Sequence, residues 1–190
     1  FYGFRIHGRK HLRDVPAGAV IICNHVHPMD CTMIPYAVFP HTVSFMSMRD
    51  NFRIPVVGYL IRALGAVPLP EDASGMPALF RTAKTQLEKG AWLVCFAEGL
   101  LYPYGTHLRP FHPGGFLMAS MAQVPVVPIA ITFRPRRGLF RLLGRKPLMD
   151  LHILPPAMPN RQRGTYAQWA EDVHAQMAQC IEQENRKYGN

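Results

Sequence analysis

The sequence lacks several patterns that would place it in a specialised class of protein. It has no CxxC pair, no internal repeat and no low-complexity tract, and its four cysteines show no metal-ligand spacing. Charged residues make up only 17% of the chain and hydrophobic residues 48%, which excludes a disordered, collagen-like or coiled-coil protein. The cysteines are therefore predicted to be reduced core thiols of a cytosolic protein: Cys23, Cys31, Cys95 and Cys180.

The longest stretch without charge also lacks the continuity that a membrane span needs. Pro110–Phe133 contains no Asp, Glu, Lys or Arg over 24 residues, a length that could cross a bilayer. Four prolines and the pair Gly114-Gly115 interrupt it, because proline breaks a helix interior. The stretch is therefore predicted to form a buried helix at Gly115–Ala122 and a strand at Val124–Thr132.

Acidic residues are scarce, with 12 Asp and Glu against 21 Lys and Arg, of which 16 are Arg, for a net charge of +9. The bases cluster with Leu and Phe between them, which suits an anionic membrane surface. A solvated basic loop remains an equal alternative, and no nucleic-acid-binding motif accompanies these residues. The two clusters are Arg134, Arg136, Arg137, Arg141, Arg145 and Lys146, and Arg5, Arg9, Lys10 and Arg13.

Alternating apolar runs and amphipathic segments predict one α/β domain over residues 1–190, with a mostly parallel or mixed central sheet flanked by helices. The chain starts at Phe1 rather than Met, so we expect a preceding segment with room for an anchor. Thr165 and Gln168 offer a capping box to the last helix. Strands are predicted at Gly18–Cys23, Thr42–Met48, Ala91–Phe96, Val124–Thr132 and Leu148–Leu154, and helices at Cys31–Phe39, Ile54–Leu64, Gly75–Lys89, Gly115–Ala122 and 165–187.

The segment after the first predicted strand carries a possible catalytic base. Asn24 and His25 follow Cys23 directly, and Asp30 comes five residues after His25 across a turn stiffened by Pro28. Open α/β sheets place their sites at the carboxyl ends of strands. If the turn folds Asp30 onto the imidazole, the pair can activate a hydroxyl, with Asp30 fixing the tautomer. The alternative is that Asp30 only caps a helix and His25 is an ordinary loop residue.

Three further segments give this pair a context. The strand Ala91–Phe96 runs into Ala97-Glu98-Gly99, which again puts a carboxylate and a glycine at the carboxyl end of a strand. Gly65–Pro70 is a short strand-like piece after an apolar helix. Val124–Ile129 is an apolar strand whose prolines suit the edge of a sheet.

Together, in this order, the four segments resemble the glycerolipid acyltransferase family. Asn24-His25 with Asp30 looks like its NHxxxxD motif, and Phe96-Ala97-Glu98-Gly99 is similar to its FPEGTR block. Gly65–Pro70 is similar to the family's second block and Val124–Pro128 to its VPVVPV block. The resemblance covers residues 8 to 133.

The resemblance implies acyl transfer from acyl-CoA or acyl-carrier protein to a lipid hydroxyl in phospholipid biosynthesis, without a metal or another cofactor. His25 would be the general base and Asp30 its orienting partner. Asn24, Glu98, Gly99 and Arg109 would contact substrate, with Glu98 and Gly99 also near the developing oxyanion. The basic clusters would face anionic lipid or an acidic carrier protein, at the cytoplasmic face of the membrane. Apolar residues of Ile54–Leu64 are candidates for an acyl groove, with core packing as the alternative.

Two departures from the family pattern concern the acceptor. Leu101 and Glu71 stand where the family has arginines that grip the acceptor phosphate, and Ala97 replaces a proline. Two charge-assisted contacts are thereby lost, each worth about 1.5–3 kcal/mol. Arg109 and Arg81 are candidates to replace them. A lysophospholipid with a larger head group, or a lipid without a phosphate monoester, is therefore a candidate acceptor beside lysophosphatidate.

Two other classes of protein share part of this pattern. His25-Val26-His27 with Asp30 resembles the HxHxDH motif of metallo-β-lactamase-like hydrolases, but its Asp is shifted by one position and the following His is missing. A catalytically silent membrane-binding module would explain the altered substrate blocks. The intact pair of His25 and Asp30 argues against that module, since a silent protein need not keep a base and its orienting carboxylate.

Overall fold

The structure is a computed structural model that describes residues 3–63, 65–136, 138, 144, 146–159 and 166–189. Its described residues contain one seven-stranded sheet in the order β1-β7-β6-β2-β5-β3-β4. The strands are β1 Arg5–His7, β2 Ala19–Cys23, β3 Val43–Ser47, β4 Val67–Pro68, β5 Trp92–Phe96, β6 Val126–Arg134 and β7 Leu148–Ile153. The helices are α1 Asp30–Val38, α2 Val57–Ala63, α3 Met76–Glu88, α4 Gly114–Ala122 and α5 Tyr166–Tyr188.

The sheet is parallel except where β7 runs antiparallel to β6. In its centre, Ile21 of β2 lies opposite Val94 of β5 on one side and Val127 of β6 on the other. All five residues of β2 are buried, because a parallel sheet in an α/β protein is covered on both faces. This explains the unbroken apolar runs and confirms the predicted α/β fold with a mixed sheet.

Helices cover both faces of the sheet. One face packs against α1 through Met33, Ile34, Ala37 and Val38. The other face packs against α3, α4 and α5. In α3 the buried residues Leu79, Ala83 and Leu87 recur every four positions, which is the spacing of one helix face. The predicted bounds of the helices are correct to within one residue, except that of α2.

The prediction that the proline-containing strand lies at an edge is wrong. The strand is β6, and it lies inside the sheet between β2 and β7. Pro128 is tolerated because it faces Ile22 of β2 while lying one residue outside the β7 ladder, which starts at Ile129 opposite Ile153. Because proline has no N–H group, one hydrogen bond is missing, but its position lies just beyond the end of β7 and the β6–β7 ladder itself is complete.

The helix predicted at Ile54–Leu64 is shorter and packs differently. Arg49–Arg53 forms a 3-10 helix and α2 begins only at Val57. Gly58 is its only described residue that is buried, so the core-packing alternative for this helix is wrong.

Some predictions fall on residues that the structure does not describe. These are the capping residue Thr165 and three of the six bases of the cluster between Arg134 and Lys146, namely Arg137, Arg141 and Arg145. Arg134 is described, and its side chain is 11% exposed and paired with Asp150. It is therefore not a membrane-facing base.

All four cysteines are free, and Cys23 alone is fully buried. Burial raises the pKa of the Cys23 thiol well above its ordinary value, with Asp30 and Glu98 acting in the same direction. In the part of the chain that the structure describes, no helix is both long enough and apolar enough to cross a membrane.

Candidate active site

The turn between β2 and α1 holds His25 against Asp30. The two meet at 3.1 Å between His25 Nδ1 and Asp30 Oδ2. The same oxygen accepts hydrogen bonds from the backbone N–H groups of Val26 at 2.8 Å and His27 at 2.9 Å. Asp30 is fully buried and is the first residue of α1, where a negative charge is favoured by the helix dipole. The turn therefore folds the carboxylate onto the imidazole and fixes it there.

This contact determines which nitrogen of His25 is basic. A carboxylate can only accept hydrogen bonds, so Nδ1 carries the proton and the lone pair lies on Nε2. The imidazole is 24% exposed and stacks on Phe96, with ring centroids 4.0 Å apart. The stack and the hydrogen bond together hold the ring in one orientation while leaving part of it open to solvent. The arrangement suits a general base that removes a proton from a hydroxyl.

Asn24 connects the turn to a neighbouring strand. Its side-chain amide donates to the Ile131 carbonyl at 2.9 Å, and its oxygen accepts from the Ile131 N–H at 2.8 Å. The residue is 2% exposed. Both ends of the amide are thus engaged by β6, which continues the pairing of β2 with β6 one step beyond Cys23.

A loop from Ala97 to Pro113 is hydrogen-bonded onto the same turn. The Tyr102 N–H donates to the His25 carbonyl at 2.8 Å, and the Tyr104 N–H donates to the Val26 carbonyl at 2.9 Å. The His112 N–H donates to the Ala97 carbonyl at 2.8 Å, which closes the base of the loop. These main-chain bonds bring the region after β5 beside the His25–Asp30 pair. Tyr102 and His112 were missed in the sequence, since loop residues carry no periodic signal.

Glu98 lies at the carboxyl end of β5 and is 5% exposed. Its Oε1 has no hydrogen-bond partner among the described residues. Burial raises the pKa of Glu98 to about 7, Arg109 opposes that shift through its charge and its backbone N–H, and Asp30 adds slightly to it. An unpartnered buried carboxyl oxygen at this place is available to a substrate donor.

Gly99 is placed as predicted, but its amide is not free. The Gly99 N–H donates to the Phe96 carbonyl at 3.0 Å, within the turn. This N–H is therefore not available to a developing oxyanion, which corrects the expectation that Gly99 takes part there. Glycine is required here for two reasons: φ is +75°, and a Cβ would lie 2.9 Å from Cδ2 of His112.

Arg109 supplies an exposed positive charge near the site. Its guanidinium carbon lies 3.7 Å from the centroid of the Tyr102 ring, a cation–π contact that orients the side chain. Its carbonyl is hydrogen-bonded to His174 of α5 at 3.1 Å. Because the Tyr102 N–H donates to the His25 carbonyl, the contact with the Tyr102 ring places Arg109 beside the turn that holds His25 and Asp30. The positive charge of Arg109 also opposes the rise in the pKa of Glu98 that burial causes.

The two positions that depart from the family pattern are also placed. Leu101 is partly exposed in the loop after β5. Glu71 is exposed and forms an ion pair with Arg49, with 3.8 Å between the charged atoms. Arg49 was missed in the sequence, although it stands two residues after the carboxyl end of β3 and could have been found by that position.

The residues of the alternative metal site do not assemble one. His27 accepts a hydrogen bond from the Met29 N–H at 3.1 Å and contacts Tyr104 edge-on. Across the described ranges, no three His, Cys, Asp or Glu side chains converge as metal ligands. The HxH pattern therefore gains no third ligand from the fold.

Comparison with known proteins gives one family throughout. A family model described as Acyltransferase matches residues 3–132. The chain is 31% identical over 133 residues to a 1-acyl-sn-glycerol-3-phosphate acyltransferase, BAT2, of Brassica napus, covering 69% of this chain and 38% of that protein. The corresponding enzyme of Pseudomonas aeruginosa is 26% identical over 67% of this chain and 48% of its own. The chain thus spans less than half the length of these relatives.

A solved structure shares the fold. It is the crystal structure of the 1-acyl-sn-glycerophosphate acyltransferase PlsC from Thermotoga maritima, with a TM-score of 0.68 and 22% identity. The match covers 95% of this chain and 71% of that one.

Proposed function

The chain belongs to the acyltransferase family, and on that premise we propose that it transfers a fatty acyl group from a thioester to the hydroxyl of a lysophospholipid. The observation that carries this proposal is the His25–Asp30 contact of 3.1 Å at the carboxyl end of β2. The relatives named above are acyltransferases that act on 1-acyl-sn-glycerol-3-phosphate. The acyl donor is acyl-CoA or acyl-carrier protein, since either presents a thioester.

The proposed reaction needs one base and no acyl-enzyme. His25 Nε2 removes the proton of the acceptor hydroxyl, and the oxygen attacks the thioester carbonyl carbon. Collapse of the tetrahedral intermediate breaks the C–S bond, and the imidazolium returns its proton to the departing thiolate. Asp30 stabilises the imidazolium between these two steps. The products are the ester and a free thiol.

Glu98 and Arg109 are proposed to bind the acceptor. The exposed guanidinium of Arg109 offers a charge-assisted contact to a head-group phosphate, which compensates for Leu101 and Glu71. Glu98 accepts from an acceptor hydroxyl through its free oxygen. Asn24, whose amide is bonded to Ile131, is proposed to hold the turn in place rather than to touch substrate. The protein is proposed to act at the cytoplasmic face of the membrane, as a peripheral protein.

The test is thiol release from palmitoyl-CoA, and from palmitoyl-acyl-carrier protein, with a panel of acceptors. The panel contains lysophosphatidate, lysophosphatidylglycerol, lysophosphatidylcholine and monoacylglycerol. We expect acceptor-dependent release that falls about a thousandfold or more in His25→Ala. His27→Ala is the matched control, since it removes a histidine of the same turn, and it should stay within a few-fold of the parent chain.

Each outcome separates the candidate functions. Release that persists in His25→Ala, or that is lost equally in His27→Ala, would contradict the role of His25. Release with lysophosphatidate alone would show that Leu101 and Glu71 do not change the acceptor. Silence with both donors and all acceptors would favour the membrane-binding module.

A further inference from the structure

The segment Met48–Ala63, here called the docking segment, exposes an unusual number of large apolar side chains. Val56 is 81% exposed and Tyr59 is 80% exposed. Exposed apolar residues are ordinary when scattered, but a contiguous group marks an interaction site. The group consists of Met48, Ile54, Val56, Val57, Tyr59 and Leu60.

The docking segment is built to present these side chains. Gly58 approaches the Phe52 carbonyl so closely that a Cβ would lie 2.3 Å from its oxygen. The guanidinium of Arg62 covers the Phe52 ring at 5.4 Å and donates to the Gly58 carbonyl at 3.0 Å. These contacts fold α2 back onto the 3-10 helix at Arg49–Arg53. Val56 lies at the bend with φ of +66°, which costs a β-branched residue free energy and yet leaves it exposed.

The docking segment lies at the same side of the molecule as the candidate active site. β5 is the parallel neighbour of both β2 and β3, so the carboxyl ends of these three strands lie on one side of the sheet. This side is here called the carboxyl edge, in contrast to the outermost strands. His25 follows β2, Glu98 follows β5, and the docking segment follows β3. Two more exposed apolar residues, Met29 and Leu100, follow β2 and β5 at the carboxyl edge.

Charge and exposed apolar surface together indicate the occupant of this surface. The docking segment contains Arg49, Arg53 and Arg62 against one acid, Asp50, for a net charge of +2. Arg53 is paired with Asp50 and Arg49 with Glu71 outside the segment, so one positive charge remains in excess. Arginine beside exposed aliphatic side chains and a tyrosine is the composition of a surface that lies in the interface of an anionic bilayer. We propose that the docking segment inserts into an anionic membrane surface and turns the carboxyl edge, which bears His25, toward it. The proposal rests on the proposed function in one respect, since a lipid acceptor must reach that edge.

The test is flotation of the 190-residue chain with vesicles of phosphatidylcholine and phosphatidylglycerol at 70:30, and with vesicles of phosphatidylcholine alone. The parent chain should bind the anionic vesicles more tightly, and less so as salt is raised. Replacing both Val56 and Tyr59 by Ser should weaken that binding at least tenfold, because two exposed apolar side chains no longer enter the bilayer. The thermal midpoint should stay close to that of the parent, which shows that the fold is kept.

The matched control replaces Met121 and Met158 by Ser. Both are exposed and lie near the start of β6, at the opposite edge of the sheet. This control should bind the anionic vesicles like the parent chain. His25→Ala should also bind like the parent, so that a failure of the proposed chemistry leaves this test intact.

Several results would overturn the proposal. One is unchanged vesicle binding by the Val56 and Tyr59 variant, and another is equal binding to vesicles without phosphatidylglycerol. A shift in acyl-chain preference without loss of vesicle binding would make the docking segment an acyl groove instead. Loss of a dimer in that variant, with vesicle binding intact, would make it a contact between two copies of the chain.

Discussion

Glu98 lies close to the reactive pair, and the fold changes its ionisation within the neutral pH range. Burial raises the pKa of its carboxyl from 4.5 to about 7. The folded chain therefore binds more protons than the unfolded chain between these two values. The free energy of unfolding contributed by Glu98 falls as pH rises through this window and stays level above pH 7.

Glu98→Gln is expected to remove that loss of stability. Between pH 5 and pH 8 the parent chain should lose on the order of 2 kcal/mol relative to the variant. Urea unfolding of both proteins at several pH values measures this difference. Glu88→Gln, which changes an exposed glutamate of α3, is the control and should follow the parent. Parallel curves for the parent and Glu98→Gln would show that Glu98 ionises normally in the folded chain.

At the residue scale, the sequence is informative where partners are close along the chain. The contact of His25 with Asp30 was expected from the resemblance to the NHxxxxD motif, whereas the five-residue spacing by itself left open that Asp30 only caps a helix. The partner of Asn24 is Ile131, 107 residues away, and nothing in the local sequence indicates it. The engagement of the Gly99 amide by Phe96 depends on how tightly the turn after β5 closes, which the residue types alone do not determine.

At the scale of elements, α4 approaches the sheet very closely at one glycine, Gly115. A Cβ on Gly115 would lie 2.7 Å from Cδ1 of Ile22 and 3.1 Å from Sγ of Cys95. A Cβ on its neighbour Gly114 would meet no atom within 4 Å. The two positions are adjacent in one helix, so they separate the effect of packing from that of helix propensity.

Gly115→Ala is expected to lower the free energy of unfolding by about 1–3 kcal/mol, because the added methyl overpacks a close contact with β2 and β5. Gly114→Ala should leave it unchanged or raise it by up to about 1 kcal/mol. Urea unfolding of the two variants and the parent provides the measurement. An equal decrease in the free energy of unfolding of both variants would mean that an effect on the helix itself, rather than overpacking against the sheet, causes the destabilisation.

The bounds of most elements follow from the sequence, since buried parallel strands require apolar runs and covering helices require an apolar face. Two predictions were wrong because each depends on how distant parts of the chain pack together. The prolines of β6 suggested an edge, but Pro128 falls just beyond the β7 ladder, a matter of strand register rather than composition. The apolar residues of Ile54–Leu64 suggested a buried helix, but only Gly58 is buried there, because apolar periodicity does not identify what covers a helix face.

At the scale of the whole molecule, Arg134 joins the beginning of the chain to its later strands. It forms an ion pair with Asp150 of β7, with 2.7 Å between Nε and Oδ1, and it also donates to the Gly3 carbonyl. Asp150 is 2% exposed and lies 3.9 Å from His7 of β1. The ion pair is thus almost completely shielded from water, so each buried charge is stabilised mainly by the other.

Asp150→Leu is expected to lower the free energy of unfolding by about 3–5 kcal/mol, because it leaves Arg134 buried without its partner. Adding Arg134→Met should recover part of that loss, since a buried apolar pair is often as stable as a buried ion pair. A double-mutant cycle measured by urea unfolding tests this coupling. Additive losses from the two changes would show that Arg134 and Asp150 do not stabilise each other, which would contradict the prediction.

The two outer strands of the sheet have a consequence for how the protein behaves at high concentration. β1 is three residues long and carries the exposed Arg5, and β4 is two residues long and contains Pro68. Short strands, charge and proline deprive a second chain of the unpaired backbone groups on which it could add a strand. A chain that is nearly half hydrophobic is thereby protected from fibrillar aggregation at both ends of its sheet.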